Sequence, residues 1–281
     1  QLKKLKNTWQ IINEEEFFIV KKYLVIGRPV DHSLSPQLHN YWIKVNKINA
    51  IYDKKDLDDS ELKDLITSIK DKKIDGVNIT VPYKKKIIPH LDELSEEAKK
   101  TESVNTIFMK DDKLIGHNTD IEGFELSIRD ANFDIKKKTI LILGAGGVVP
   151  SIIYALNKMQ VSQIIVSNRT KEKALYLKNL FQKITIVNWG EIPNFDMIIN
   201  ATSVGLKDNE DLKLDFSKVK NKFFYDVIYN PSETNFLKSG KKFGNKTVNG
   251  KMMFIYQAYL AFRIWHKVDP KINNEVIKIV S

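Results

Sequence analysis

The sequence predicts an α/β fold of two lobes with a cleft between them, on three observations. Short β-branched runs alternate with amphipathic segments, as in strands and helices packed into parallel sheets. A glycine-rich loop, Gly144-Ala145-Gly146-Gly147, follows an apolar run at mid-chain and opens a second series of such alternations. The C-terminal stretch is again helical in pattern and is expected to pack back on the first lobe. We expect the boundary between the lobes near Asp120.

The first lobe begins with a predicted strand at Tyr23–Ile26, and a helix follows it. Ser35 is expected to cap this helix, with Pro36 at the first helical position, where a missing N–H is not needed. Three apolar residues at helical spacing are expected to share one buried face: Leu38, Trp42 and Val45.

The remaining elements of the first lobe are predicted from the same alternation of β-branched runs, which indicate strands, with amphipathic segments, which indicate helices. Two strands flanking four turn residues predict a β-hairpin at the end of this lobe. In chain order the predicted elements are strand Ala50–Tyr52, helix Ser60–Lys70, strand Gly76–Ile79, hairpin strands Val104–Phe108 and Lys113–His117 around Met109–Asp112, and a helix near Ile121–Asp130.

The second lobe is predicted as a regular βα series around the glycine loop. Its expected strands are Thr139–Leu143, Gln163–Ser167, Met197–Asn200 and Phe223–Val227, and its helices are Val148–Met159 and Lys171–Phe181. The helical stretch Met252–Val280 is expected to be divided in two by Pro270.

Composition limits the classes of function. The 281 residues are 42% hydrophobic without a run long enough to span a membrane, and no secretory signal is expected. The absence of cysteine excludes disulfides, thiolate metal sites and cysteine nucleophiles, and it favours a cytoplasmic protein. The net charge is +10, but the lysines are dispersed and no aromatic residues interleave their clusters. We therefore expect no nucleic-acid partner and attribute the charge to attraction of anionic ligands.

Two short segments end in ionisable side chains among small polar residues: Asn78–Lys84 and Gly116–Asp120. Taken alone, Lys84 belongs to a triple lysine typical of a solvated surface, and Asp120 suits a helix N-terminus. A lysine and an aspartate beside a dinucleotide fold can move a proton while a cofactor moves a hydride. The combination predicts a carbonyl–alcohol oxidoreductase acting on a polyhydroxylated substrate.

The glycine loop favours a dinucleotide, although the third glycine of the usual fingerprint is replaced by Val149 and Pro150 follows it. By itself the loop could be a plain tight turn. The next strand ends in Ser167-Asn168-Arg169-Thr170, where an NAD enzyme usually carries an acid for the ribose hydroxyls. A neutral and cationic tip, with Lys173 close behind, favours a 2′-phosphate and therefore NADP over NAD.

Ser33 and Ser35 place two hydroxyls at the start of a helix, which suits a substrate carboxylate but also suits plain capping. His32 and His39 are assigned structural roles because the five histidines are scattered without a zinc-type spacing, and no metal is expected.

These features together resemble the shikimate dehydrogenase family over about Tyr23 to Lys267. The resemblance rests on segments in the family's order: Gly27–Asn40, Asn78–Lys84, Ser103–Thr106, Gly116–Asp120, Gly144–Gly147, Asn168–Thr170, Asn200–Gly205, Tyr225–Pro231, and Gly250 with Met253 and Gln257. It implies NADPH-dependent, reversible reduction of 3-dehydroshikimate to shikimate, in the pathway to chorismate and aromatic amino acids. It also implies a substrate lobe from both chain ends and a Rossmann-like, doubly wound NADP lobe in the middle.

The resemblance assigns roles to individual residues. Lys84 and Asp120 would be catalytic, and which of them donates the proton stays open. The substrate would be bound by Ser33, Ser35, Thr80, Lys84, Asn105, Asp120, Tyr229 and Gln257. The cofactor would be bound by Gly144, Ala145, Gly146, Gly147, Asn168, Arg169, Thr170, Lys173, Thr202, Val227, Gly250 and Met253. Where relatives often have small residues and a basic one after the glycines, this chain has Val148, Val149 and Pro150, so we expect the main chain and not these side chains to bind the pyrophosphate.

The expected domains are residues 1–119 with 251–281 for the substrate and 120–250 for NADP, and nothing is assigned to the N-terminal extension 1–20. Two alternatives stay open: an NAD-using quinate/shikimate dehydrogenase, and a non-catalytic NADP-binding sensor. The expected partners are small molecules without a membrane, and the chain is expected to be a monomer or a homodimer.

Overall fold

The computed structural model describes residues 20–207 and 209–280. The first sheet has six strands in the order β2-β1-β3-β5-β6-β4. Their bounds are β1 Lys21–Gly27, β2 Ala50–Asp56, β3 Gly76–Ile79, β4 Glu93–Leu94, β5 Thr106–Lys110 and β6 Lys113–His117. The pairs β1–β2, β1–β3 and β4–β6 are parallel, whereas β3–β5 and β5–β6 are antiparallel. The predicted hairpin is confirmed, and its turn narrows to Asp111 and Asp112, both at positive φ.

The second sheet is parallel throughout and has the order β12-β11-β10-β7-β8-β9. Its strands are β7 Thr139–Leu143, β8 Gln163–Ser167, β9 Thr185–Val187, β10 Met197–Asn200, β11 Phe223–Asp226 and β12 Lys246–Val248. The chain runs outward from β7 to β9 and then returns to β10 on the other side of β7. This reversal of direction leaves a crevice at the carboxyl ends of β7 and β10, which is where open α/β sheets bind ligands.

Ten α-helices accompany the two sheets within the described residues. They are α1 Ser35–Val45, α2 Leu62–Lys70, α3 Tyr83–Lys86, α4 Glu96–Thr101, α5 Asp120–Asp130, α6 Val149–Lys158, α7 Lys171–Leu180, α8 Asn235–Lys242, α9 Lys251–His266 and α10 Asn274–Ile279. The predicted break at Pro270 is confirmed, because α9 ends before it and α10 begins after it. None of the helices in this part of the chain is both long and apolar enough to cross a membrane.

Three details of the α1 prediction are wrong. Ser35 is the first helical residue and not the cap, since Leu34 holds the cap position and makes no side-chain capping bond. Pro36 is therefore the second helical residue and not the first. Val45 is 52% exposed, whereas Leu38 and Trp42 are fully buried. Val45 is the last residue of the helix, and helical spacing alone does not bury a residue at a helix end.

Four apolar clusters form the core, two in each lobe. The long helix α9 contributes Ile255, Ala258 and Phe262 to the cluster beneath α1 in the first lobe, and it also packs along α5. A Cβ on Gly123 of α5 would lie 2.9 Å from the backbone nitrogen of Gln257, so glycine permits the close approach of α5 and α9. The two chain ends of the first lobe are thereby joined beside the point where the chain enters the second lobe.

Candidate active site

Lys84 and Asp120 meet between the lobes. Lys84 lies in α3, directly after β3 and the cis Val81–Pro82 peptide, and Asp120 is the first residue of α5. The Lys84 Nζ atom donates to Asp120 Oδ2 at 2.6 Å, and the two side chains are 13% and 8% exposed. An amine and a carboxylate 36 residues apart in sequence are therefore in direct contact. Asp120 is at the same time the helix-terminal acid considered as its alternative role.

Asn105 holds the second oxygen of this carboxylate. Its Nδ2 atom donates to Asp120 Oδ1 and to Thr119 Oγ1, each at 2.9 Å. Its Oδ1 atom accepts the backbone N–H of Thr119 at 2.8 Å. The amide thus ties β5 to the start of α5, and Asp120 cannot rotate away from Lys84 without breaking these buried bonds.

Further polar residues support this centre, and the sequence analysis assigned them no role. Asn78 donates to the Asn105 carbonyl at 3.0 Å and accepts the Tyr52 hydroxyl at 2.7 Å. Asn118 accepts the backbone N–H of Asp120 at 3.1 Å and donates to Ser151 of the second lobe at 2.9 Å. Asn78 lies in the segment Asn78–Lys84 and Asn118 in the segment Gly116–Asp120, so the only sequence signal for either residue is its proximity to Lys84 or Asp120.

Thr80 and Gln257 reach the same region by close backbone packing. A Cβ on Gly27 would overlap the Thr80 methyl group, so the end of β1 lies directly against the residue that follows β3. Gln257 stands on α9 where that helix crosses Gly123, one turn along α5 from Asp120. Its Nε2 atom donates to the Phe254 carbonyl at 2.8 Å, so its Oε1 atom is the group available to a ligand.

The serine segment lies at the start of α1. Ser33 Oγ accepts the backbone N–H of Ser35 at 3.3 Å, and Ser35 itself is buried. Tyr229 stacks on Phe254 with ring centroids 4.5 Å apart, and burial raises its pKa to about 12. Within the described residues no hydrogen bond joins Tyr229 to either serine, although Tyr229 and Leu34 pack on one apolar cluster.

His39 packs in the core of the first lobe. It stacks on Tyr52 with ring centroids 4.2 Å apart, and its nitrogens have no hydrogen-bond partner within the described residues. Burial, and secondarily the charge of His266, lowers the pKa of His39 to about 3, so the ring is neutral. His32 is exposed at the surface.

The glycine loop has the geometry that a dinucleotide pyrophosphate requires. Gly144 has φ +110°, and a Cβ there would lie 2.8 Å from the Ala201 carbonyl oxygen, so only glycine fits. Within the described residues no hydrogen bond uses the backbone N–H groups of Ala145, Gly146, Gly147 or Val148. A row of unpaired N–H donors at a helix N-terminus binds anions. These residues therefore fit the pyrophosphate of NADP.

The tip after β8 fits a 2′-phosphate. Asn168 is half-buried and donates to the Thr170 carbonyl at 2.7 Å, which shapes the turn into α7. Arg169, Thr170 and Lys173 are exposed. No carboxylate occurs from Ser167 to Thr170, so nothing at the tip itself would repel a phosphate.

The remaining candidates for cofactor binding lie at or beside the carboxyl ends of β10 and β11. Buried hydrogen bonds of Asn200 hold these two strand ends together. Asn200 donates to Asp226 Oδ1 at 3.1 Å and accepts the Thr202 hydroxyl at 2.7 Å. A Cβ on Gly250 would overlap the Val227 carbonyl, so α9 starts against the end of β11. Met253 is buried one turn further along α9.

Asp226 makes the stability of the second lobe sensitive to pH. Burial raises the pKa of Asp226 to about 6 from its ordinary 3.8, against the opposing hydrogen bonds from Thr234, Ile228 and Asn200. The folded protein holds this proton more tightly than the unfolded chain. The stabilisation that this bound proton gives to the folded state is therefore fully present below pH 3.8 and is lost as the pH rises through about 6.

We predict that Asp226→Asn removes this pH dependence. As the pH rises from 4 to 7, the free energy of unfolding of the wild type should fall relative to that of the variant by on the order of 3 kcal/mol. Urea unfolding at four pH values measures it, and the difference between the two proteins cancels the contributions of other carboxylates. Parallel stability curves would contradict the prediction.

The fold and the site define a class: a two-lobed, dinucleotide-dependent oxidoreductase with a lysine–aspartate pair at the junction of the lobes. Two family profiles match the chain, "Shikimate dehydrogenase substrate binding domain" over residues 25–107 and "Shikimate / quinate 5-dehydrogenase" over 126–226. The NADP⁺ shikimate dehydrogenase of Pelagibacter ubique is 60% identical over 262 residues, covering 93% of this chain and 99% of that protein. The chain belongs to the shikimate dehydrogenase family.

Solved structures agree with this assignment. Shikimate dehydrogenase from Aquifex aeolicus superposes with a TM-score of 0.86 at 38% identity, over 93% of this chain and 97% of that one. The Thermus thermophilus enzyme, solved with NADP(H) and shikimate, gives a TM-score of 0.85 at 30% identity, over 93% and 98%. The predicted fold class, an α/β substrate lobe beside a Rossmann-like NADP lobe, is confirmed.

Proposed function

We propose that this protein reduces 3-dehydroshikimate to shikimate with NADPH, reversibly, in the pathway leading to chorismate and the aromatic amino acids. The 2.6 Å contact between Lys84 and Asp120 carries the proposal, since it puts a proton donor and its carboxylate partner at the junction of the lobes. A family member 60% identical to this chain bears the name of an NADP⁺ shikimate dehydrogenase, which supports the same reaction.

The substrate ring would be bound by polar groups from both chain ends. Ser33 and Ser35 would hold the carboxylate at the N-terminus of α1, with Tyr229 on the neighbouring apolar cluster. The ring hydroxyls would be bound by Thr80, Lys84, Asn105, Asp120 and Gln257. Of these groups, Asn105 is committed to Asp120 and Thr119, so it acts mainly by holding the carboxylate in place.

NADPH would be held by the free N–H groups of residues 145–148, with its 2′-phosphate against Asn168, Arg169, Thr170 and Lys173. Thr202, Val227, Gly250 and Met253 would line the rest of its path. When bound, NADPH supplies the hydride that reduces the ketone carbon. The Lys84 ammonium donates a proton to the ketone oxygen, or stabilises the developing alkoxide, while Asp120 orients the amine.

The substrate-binding domain would comprise residues 1–119 and 251–281, and the NADP-binding domain 120–250. Supporting this division, all strands of the first sheet precede Asp120, and α9 contributes to the first lobe's core. Residues 1–19, which include most of the extension 1–20, lie outside the described part of the chain. A cytoplasmic location and a monomeric or homodimeric state stay predictions.

The test is NADPH oxidation followed at 340 nm with 3-dehydroshikimate, repeated with NADH. We expect turnover with NADPH and a kcat/KM at least about tenfold lower with NADH, because Arg169 and Lys173 pair with a 2′-phosphate that NADH lacks. Oxidation of quinate with NAD⁺ at comparable efficiency would favour the quinate/shikimate alternative. Tight NADPH binding with no turnover would favour the non-catalytic sensor.

A further inference from the structure

The glycine loop supplies donors for a diphosphate but no positive side chain. Residues 144–151 contain neither lysine nor arginine. Pro150 lies in the first turn of α6 and lacks an N–H, which removes one donor from the helix N-terminus. A dinucleotide diphosphate carries two negative charges, and charge-assisted contacts are roughly twice as strong as neutral ones. A cation from elsewhere in the chain would strengthen binding at this loop.

A cavity of about 210 Å³ separates the glycine loop from the first lobe, and two lysines line it. Lys84 is committed to Asp120 and is largely buried. Lys85, the next residue, has a side chain that is 61% exposed, and it lines the cavity that Gly146 and Gly147 line from the opposite lobe.

Lys85 belongs to a clasp that we define as Lys85, Glu102 and Tyr176. Lys85 Nζ donates to Glu102 Oε2 at 2.6 Å and to the Tyr176 hydroxyl at 2.8 Å, and it lies 4.3 Å from the Tyr176 ring centre. The Tyr176 hydroxyl also donates to Glu102. Lys85 and Glu102 come from the first lobe and Tyr176 from α7, so the clasp joins the two lobes beside the glycine loop.

We propose that Lys85 is the cation for the diphosphate of NADPH and that it exchanges Glu102 for the cofactor when the cofactor binds. This inference rests on the proposed function. It means that a lysine of the first lobe supplies the positive charge that the glycine loop of the second lobe lacks. Glu102 then opposes binding in two ways: it competes for Lys85, and it places a carboxylate beside the diphosphate.

The exchange predicts opposite effects from the two members of one ion pair. Lys85→Met should raise the Kd for NADPH by about 5- to 10-fold, because a charge-assisted contact is lost. Glu102→Gln should lower the Kd by about 2- to 3-fold, because a partly exposed negative charge is removed. The Kd is measured by fluorescence titration without substrate.

Matched controls isolate the site. Lys86→Met removes the same charge from a lysine that pairs with Asp59 and does not line the cavity, so its Kd should stay within about twofold of wild type. Binding of 2′-AMP, which has no diphosphate, should be unchanged in the Lys85 variant.

Two results would overturn the inference. If both variants weaken NADPH binding, the clasp only holds the lobes together. If Lys85→Met behaves like Lys86→Met, Lys85 does not contact the cofactor. Because these titrations contain no 3-dehydroshikimate, a wild type that binds NADPH without turning over would contradict the proposed function and leave this inference standing.

Discussion

Replacing Lys84 with methionine is expected to lower kcat for 3-dehydroshikimate reduction by about 10³-fold, within the range of general acid catalysis. Methionine retains the length of the aliphatic stem but cannot donate a proton or stabilise an alkoxide. Lys84 contributes one of several polar groups around the ring, so the substrate KM should change by less than about tenfold. Steady-state kinetics at saturating NADPH separate the two quantities.

The control for Lys84 is Lys86→Met, which removes the same charge from the same short helix. Lys86 pairs with Asp59 at the surface, so its loss should leave kcat within about twofold of wild type. Thermal unfolding must be recorded in parallel, because removing Lys84 leaves Asp120 buried without its cation. A folded Lys84 variant with near-normal turnover and greatly weakened substrate binding would refute the catalytic assignment.

Asp120→Asn is expected to lower kcat by about 10²-fold, since the general acid loses its orientation. Both partners of this carboxylate are donors: Lys84 Nζ at one oxygen and Asn105 Nδ2 at the other. An asparagine presents only one oxygen, so one of the two donors faces an NH₂ group and the amine is displaced. Steady-state kinetics with both substrates measure the loss.

Glu122→Gln is the matched control for the simpler role of Asp120. Both acids lie in the first turn of α5, where a negative charge favours the helix dipole. If that were the whole function of Asp120, the two variants would lose stability to a similar extent, by under about 1 kcal/mol, and keep their turnover. We expect a large loss of kcat for Asp120→Asn alone.

The sequence predicted the elements that carry a strong local signal. The strands Thr139–Leu143, Gln163–Ser167 and Met197–Asn200 have the predicted bounds because each contains a short apolar run flanked by polar residues or glycine. The strands β4, β9 and β12 were missed, together with helices α3, α4 and α8. A strand of two or three residues is too short to show a period, and it forms because a neighbouring strand already offers its hydrogen-bonding groups.

The sequence by itself determined the family, the two lobes and the two segments that contain Lys84 and Asp120. The family resemblance selects Lys84, but the run of three consecutive lysines has no local signal that shows which of them pairs with Asp120. In α3 successive side chains turn by about 100°, so Lys84, Lys85 and Lys86 point in different directions. They pair with Asp120, Glu102 and Asp59 respectively. Those partners come from three separate segments, and only the packed sheets and lobes bring them to the helix.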